Sequence, residues 1–168
     1  MSPAHEFIVR LQKLKAGDLG RLRQLAGRDL DTSLDAFDLF SGLWWPLRQK
    51  NQRAPRRGVA WLIIRLYAAC PIPHENGRTL AREIALAARS DPAAEERFNR
   101  LLTMPLGRVE PALRGLLPYV THSSNKLDWD RLTDDLSIWE RQQTRLKWAE
   151  EFLLQSQQTS HQKGEAMK

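Results

Sequence analysis

LDWDRLTDDLSIWERQQTRLKWAEEFLLQ, residues 127–155, decides the fold. Three tryptophans, a pair of aspartates and several basic residues share one long helical pattern. Leu132, Leu136, Trp139, Leu146, Ala149 and Leu153 recur near one side of a helix with about 3.6 residues per turn. Trp148 and Phe152 fall on roughly the opposite side, and Arg141 and Arg145 extend that second side toward the helix start. A helix that is apolar on two sides has two things to pack against. One is its own core. The other is a neighbouring helix of the same chain or a partner.

Working outward, the same periodicity predicts helices almost everywhere. Phe7, Leu11 and Leu14 mark a first helix over 5–15, with Gly17 as its stop. Leu19, Leu22, Leu25 and Ala26 mark a second, ending at Gly27, and the polar connector 28–33 supplies Asp31, Thr32 or Ser33 as the next cap. Residues 34–44 read as a third helix that Pro46 stops. The run 59–70 is apolar on almost every side; VAWLIIRLY would also fit a buried strand, but a length of about three turns, Ala60, Ala68 and Ala69, and the bracketing prolines favour a central, buried helix introduced by Pro55. Helices over 79–89, from the cap at 90–92 to about 102, and over 109–120 follow. The last is expected to be broken by Pro111 and Pro118. Asp128 can cap the helix that starts at Trp129. No stretch alternates clearly between apolar and polar residues. The fold class expected is all-α, a compact bundle of about seven to nine helices in one domain over 1–156, with a polar, frayed or disordered tail over 157–168.

The chain has 168 residues, a net charge of +6 and a sequence pI near 9.9. That basic surplus favours an anionic partner: nucleic acid, a membrane surface or an acidic protein. The single cysteine, Cys70, cannot form an internal disulfide and reads as a small apolar residue. The segment MSPAHEFIV lacks the pattern of a secretion signal, and the run 59–70 is too short to span a bilayer. A cytoplasmic protein with no membrane partner is expected.

Enzyme chemistry has no visible carrier. His5, His74, His122 and His161 lie far apart in sequence, with no metal-ligand spacing among them. No phosphate-cradling glycine loop or nucleophile elbow occurs. Asp134 and Asp135 are adjacent on a helix, diverge by about 100° and cannot converge on one atom. No enzyme activity, cofactor or metal is expected.

Arginine is the chemistry that is present. Arg21 and Arg23 flank Leu22, and Arg28 follows. Residues 48–57, RQKNQRAPRR, contain five basic residues and no acidic one, including Arg53, Arg56 and Arg57. Arg97, Arg100, Arg108 and Arg114 are spread over the next basic region, and Lys126, Arg131, Arg141, Arg145 and Lys147 serve the C-terminal helices. A guanidinium fork can hold two phosphate oxygens at once, and such contacts follow a backbone without reading its sequence. Taken singly, each of these is equally a solvated surface residue. Trp61, Trp129, Trp139 and Trp148 sit at core spacing. Trp44 and Trp45 end a helix beside the basic loop, and one of them could be exposed to stack on a base.

The order L-D-W, D-L-x-x-W and W-A-x-x-F near the C-terminus resembles the CasB-type small subunit of the type I-E CRISPR effector complex, Cascade. FIVRLQKLKAGDLGRLRQL (7–25), PRRGVAWLIIRLYAAC (55–70), ERFNRLL (96–102) and ALRGLL (112–117) agree in order and spacing. The resemblance covers most of residues 7–155. It implies a non-catalytic subunit of the inner belly of Cascade, usually present in two copies. Such a subunit contacts the guide RNA and target-strand backbone and helps hold the displaced DNA strand. Arg23, Arg56 and Arg114 match basic positions of the family pattern. Arg141, Arg145 and Lys147 lie where the family is basic, with spacing shifted by about a residue, and Gly115 stands where a second arginine often follows the first. Two other classes remain open from the residues: a free-standing helical nucleic-acid-binding protein, and a helical adaptor for acidic protein partners.

Overall fold

Where a side chain can bond the unpaired N–H groups of a helix's first turn, the helix starts close to its expected place. In a computed structural model that describes residues 2–25 and 37–166, nine α-helices and one 3₁₀ turn (Leu106–Arg108) carry the chain. The helices are α1 Pro3–Gln12, α2 Ala16–Arg23, α3 Phe37–Lys50, α4 Arg57–Ala69, α5 Leu80–Ala87, α6 Pro92–Leu101, α7 Val109–His122, α8 Trp129–Ser137 and α9 Gln142–Ala166. The described residues contain no strand, only an isolated bridge between His74 and Leu127. The all-α reading is borne out. Ser2, Thr79 and Asp91 cap α1, α5 and α6 by accepting from the N–H groups of His5, Arg82 and Ala93. Pro3 and Pro92 occupy the first turns, where a missing N–H costs nothing. The cap expected among Asp31, Thr32 and Ser33, and the stop at Gly27, lie outside the described residues.

Several expected stops are not stops. Gly17 lies inside α2, and the first break comes at residues 13–15 instead. α3 continues through Pro46 and α7 through Pro111 and Pro118. Pro111 sits in the first turn of α7, where nothing is lost. Pro46 and Pro118 lack only the bonds to the carbonyls of Gly42 and Arg114, four residues back, and packing of the flanking turns outweighs that loss.

The chain sorts into two compact units, Met1–Pro71 with Trp129–Ser137, and Ile72–Asp128 with Ile138–Lys168, where the sequence reads as one domain over 1–156. In the first unit every residue of α4 over 59–68 is buried, while Cys70 is only half-buried. α4 packs against α2, α3 and α8, and α1 packs against α3 and α8. Trp61 meets Phe40 edge-on, Tyr67 meets Trp129 edge-on, and the Arg65 guanidinium lies 5.3 Å from the Trp61 ring centroid.

In the second unit α5 packs against α6, α7 and α9, and α6 packs against α7. Phe98 stacks on both Trp148 and Phe152, and Trp139 meets Trp148 edge-on at 5.0 Å. Burial of such rings contributes about 1.5–3 kcal/mol each. Trp148 and Phe152 are therefore core residues, which settles their two possible roles.

The opening stretch is where the expectation of one continuous helix fails. Residues 138–141 form a turn between α8 and α9, closed by Thr144 Oγ1 donating to the Ile138 carbonyl at 3.0 Å. Trp139 sits in that turn with its indole N–H on the Met104 carbonyl at 2.8 Å. The turn resets the helical phase. The side of α9 that carries Thr144, Trp148 and Phe152 faces inward, and Leu146, Leu153 and Leu154 are exposed by 53%, 57% and 58%. Helix continues through residue 166, so the stretch read as a frayed tail is helical there, with no buried residue after Phe152 among those described.

Candidate nucleic-acid interface

On α6 the inward residues Ala94, Phe98 and Leu101 are spaced by four and three. That spacing turns Glu96, Arg97 and Arg100 to the other side. On α7, Val109, Leu113, Leu116, Leu117 and Val120 face inward and leave Pro111 and Ala112 outside. Between these two outer faces and the 3₁₀ turn lies a groove of about 500 Å³. Arg97, Arg100, Arg108 and Glu96 line it over a floor that includes Ala93, Met104 and Ala112.

Three guanidinium groups thus share one groove with one carboxylate. Arg100 meets Glu96 at 2.8 Å, but both are largely exposed and such a pair contributes only about 0–1 kcal/mol. No carboxylate among the described residues pairs with Arg97 or Arg108. Arg97 lies across α7 above Gly115, where an added Cβ would stand 3.0 Å from its Nη1. A glycine at 115 leaves that seat open, and the guanidinium occupies it. Arg114, half-buried, is the neighbouring residue of α7.

The other candidate cations are placed differently. Arg23 Nε donates to the Ala68 carbonyl at 2.9 Å, at the end of α4. Arg56 Nη2 donates to the Ser137 carbonyl at 3.1 Å, at the end of α8. Helix ends leave carbonyls without partners, and these two arginines supply them. Arg145 points back to the Leu102 carbonyl at 3.4 Å with its Nε buried and unbonded. Arg21 pairs with Asp38 at 3.3 Å. The Asp38 carboxyl is held below its ordinary value, first by the Leu39 backbone N–H and then by Arg21. Arg53, Arg57, Arg141 and Lys147 are exposed, and Arg131 pairs with Asp135 at 3.1 Å. Arg28 lies outside the described residues.

The structure also shows a buried carboxylate that sequence reading missed. Glu83, 1% exposed, accepts from Ser124 Oγ at 2.8 Å and faces Arg78 at 3.5 Å. Arg78 also binds Glu75 at 2.7 Å, which lowers the Glu75 carboxyl and raises the guanidinium. A glutamate at an inward register position of α5 was the available signal. No helix among the described residues is long and apolar enough to cross a membrane.

Fold and site together define an all-helical protein with a cationic groove across two packed helices. The chain belongs to the family of CRISPR-associated protein Cse2, whose model matches residues 18–153. It is 29% identical over 156 residues to the CRISPR-associated protein Cse2 of Thermus thermophilus, covering 90% of each chain. Its fold matches the crystal structure of a Cse2-family protein from Thermus thermophilus with a TM-score of 0.74 and 27% identity, over 91% of this chain and 99% of that one. It matches a chain of E. coli Cascade bound to a PAM-containing double-stranded DNA target with a TM-score of 0.68, over 90% and 95% of the two chains. At 22% identity that match shows a shared fold. The resemblance carried by the helical motifs is borne out.

Proposed function

We infer that the chain is the non-catalytic small subunit of a cytoplasmic, CRISPR RNA-guided surveillance complex of the Cascade type. In this role it holds the guide RNA and target-DNA backbone and the displaced strand, and so stabilises the R-loop in antiviral defence. The observation that carries the reading is the α6–α7 groove, where Arg97, Arg100 and Arg108 face one carboxylate. Guanidinium groups at that density suit consecutive phosphates and ignore base identity. A subunit whose complex reads sequence by base pairing needs nothing more specific. Arg114, half-buried on α7, is a further candidate cation on one of the groove's two helices. Arg21, Arg53, Arg57, Arg141 and Lys147 add exposed charge, and Arg23, Arg56 and Arg145 act chiefly on helix ends. The exposed Leu146, Leu153 and Leu154 support contact with other Cascade subunits, a second copy of this chain included.

The test is the salt dependence of single-stranded DNA binding by the full chain. Log affinity should fall linearly with log salt, and each lost phosphate contact should reduce the slope by about 0.7. A slope unchanged by replacing Arg97, Arg100 and Arg108 together would remove this interface. An absence of binding at every salt concentration would favour an adaptor for acidic proteins.

A further inference from the structure

The first unit carries a second surface feature of different chemistry. Phe37, Phe40, Trp44 and Trp45 of α3, with Ser41 and Arg57, enclose an open, mainly apolar pocket of about 520 Å³. Its aromatic rings form a continuous series from the core to solvent. Phe40 is buried and stacks on Trp44 at 5.3 Å with 13° between planes, and Trp44 lies 5.7 Å from Trp45. Trp45 is 50% exposed and Phe37 48%. Exposed indole and phenyl rings lining one pocket are costly to leave in water, and they call for an occupant.

The surroundings say which occupant. The Trp44 indole N–H donates to the Pro55 carbonyl at 2.7 Å, which pins the loop 51–56 against the aromatic series. That loop belongs to the 48–57 stretch with five basic residues and no acidic one. Arg48 holds the loop shut through the Gln52 and Ala54 carbonyls at 2.6 and 2.8 Å. Among the described residues no carboxylate pairs with Arg48, Arg53 or Arg56. A flat apolar ring carried on an anionic backbone matches both halves of this surface. An apolar protein segment matches only the aromatic half.

The geometry points to this pocket as a seat for one unstacked nucleobase of a single strand, its face against Trp45 and a flanking phosphate on the exposed Arg53 of the neighbouring loop. A paired base cannot enter, so the pocket takes single strands and not duplex. The inference rests on the reading that the chain meets nucleic acid, and it adds to that reading a base contact outside the arginine groove.

Two strands of equal length and charge separate the two ideas: an oligothymidylate and an abasic oligomer with the same sugar–phosphate backbone. The full chain should prefer the thymidylate on the order of tenfold, the usual worth of one stacked base. Trp45→Ala should abolish that preference and leave the salt slope intact. Trp45→Phe should retain part of it. Melting of both variants should stay close to that of the parent, because the ring is half in solvent. Absence of a base preference in the parent, or its survival in Trp45→Ala, overturns the pocket and leaves the groove untouched. So does a large melting loss in Trp45→Ala, which would make the ring a wall of the core. Failure of the parent to bind either strand overturns both readings.

Discussion

Arginines look alike along this sequence, yet the two units use them in opposite ways. In the first unit, Arg23, Arg48 and Arg56 turn back onto backbone carbonyls of the chain itself. In the second, Arg97 and Arg108 meet no carboxylate among the described residues and face a groove. The difference follows from what lies within reach. A guanidinium near the last turn of a neighbouring helix finds carbonyls without partners and satisfies them. One on the outer face of a helix whose neighbour is a glycine finds only space. Local charge density ranks the 48–57 loop above the α6–α7 region, and geometry reverses that order for backbone contacts.

The largest expected effect removes the platform under the groove. Trp148→Ala takes away the ring stacked on Phe98, the inward residue between Arg97 and Arg100, and should cost about 3–5 kcal/mol, read as a lower melting temperature of the full chain. Melting near that of the parent would show that the second unit does not depend on this core.

Replacing Arg97, Arg100 and Arg108 by glutamine should weaken single-strand binding at low salt and reduce the salt slope by about 2. Melting should change little, as for most surface substitutions. Arg56→Ala should do the reverse. Loss of its bond to the Ser137 carbonyl should cost about 0.5–1.5 kcal/mol of stability and leave the slope as it was. If Arg56→Ala instead moves the slope and spares the melt, the contrast between the units is wrong.

Gly115→Ala sharpens the comparison within one residue. Helix propensity alone should stabilise α7 by about 0.5–1 kcal/mol, while the new Cβ, 3.0 Å from Nη1, pushes the Arg97 guanidinium off its present position. A more stable chain that binds single strands a few-fold more weakly is the expected result. Tighter binding would mean that Arg97 works elsewhere.

The smallest effect is on acid stability. The Arg78 guanidinium holds the Glu75 carboxyl below its ordinary value of 4.5. Its contribution is therefore present above pH 4.5 and is lost as the pH falls below that value. A melting series through that window should show a shallower loss for Glu75→Gln than for the parent.

Reading from sequence worked where apolar periodicity decides a helix, and failed at Gly17, Pro46 and Pro118, where packing outweighs a local stop signal. α4 was legible because apolarity on every side leaves a helix no option but the interior. The cap at Asp91 was legible because its side chain acts within two residues, whereas Thr79, read as the first helical residue, is itself the cap of α5. The α8–α9 turn was not. A continuous helical phase cannot be told from a break when the apolar residues on either side, Leu136 and Leu146, also fit one straight helix. What makes the turn is tertiary: Trp139 reaches the Met104 carbonyl and Glu140 accepts from the Leu106 N–H. For the site, the basic stretches were visible. Which arginines meet across α6 and α7, and which close helix ends, depends on packing that no spacing along the chain records.

The order in which the units take their residues sets a condition on how the protein is made. Trp129–Ser137 returns to the first unit after the chain has already supplied much of the second. The His5–Asp130 contact at 2.7 Å joins residues 125 positions apart. During translation the N-terminal helices must therefore wait, with the Tyr67 ring and part of α4 uncovered, until α8 has left the ribosome. No single cut divides this polypeptide into two self-sufficient pieces. A chain released before α8 would present its most apolar helix to the chaperones and proteases that patrol nascent proteins.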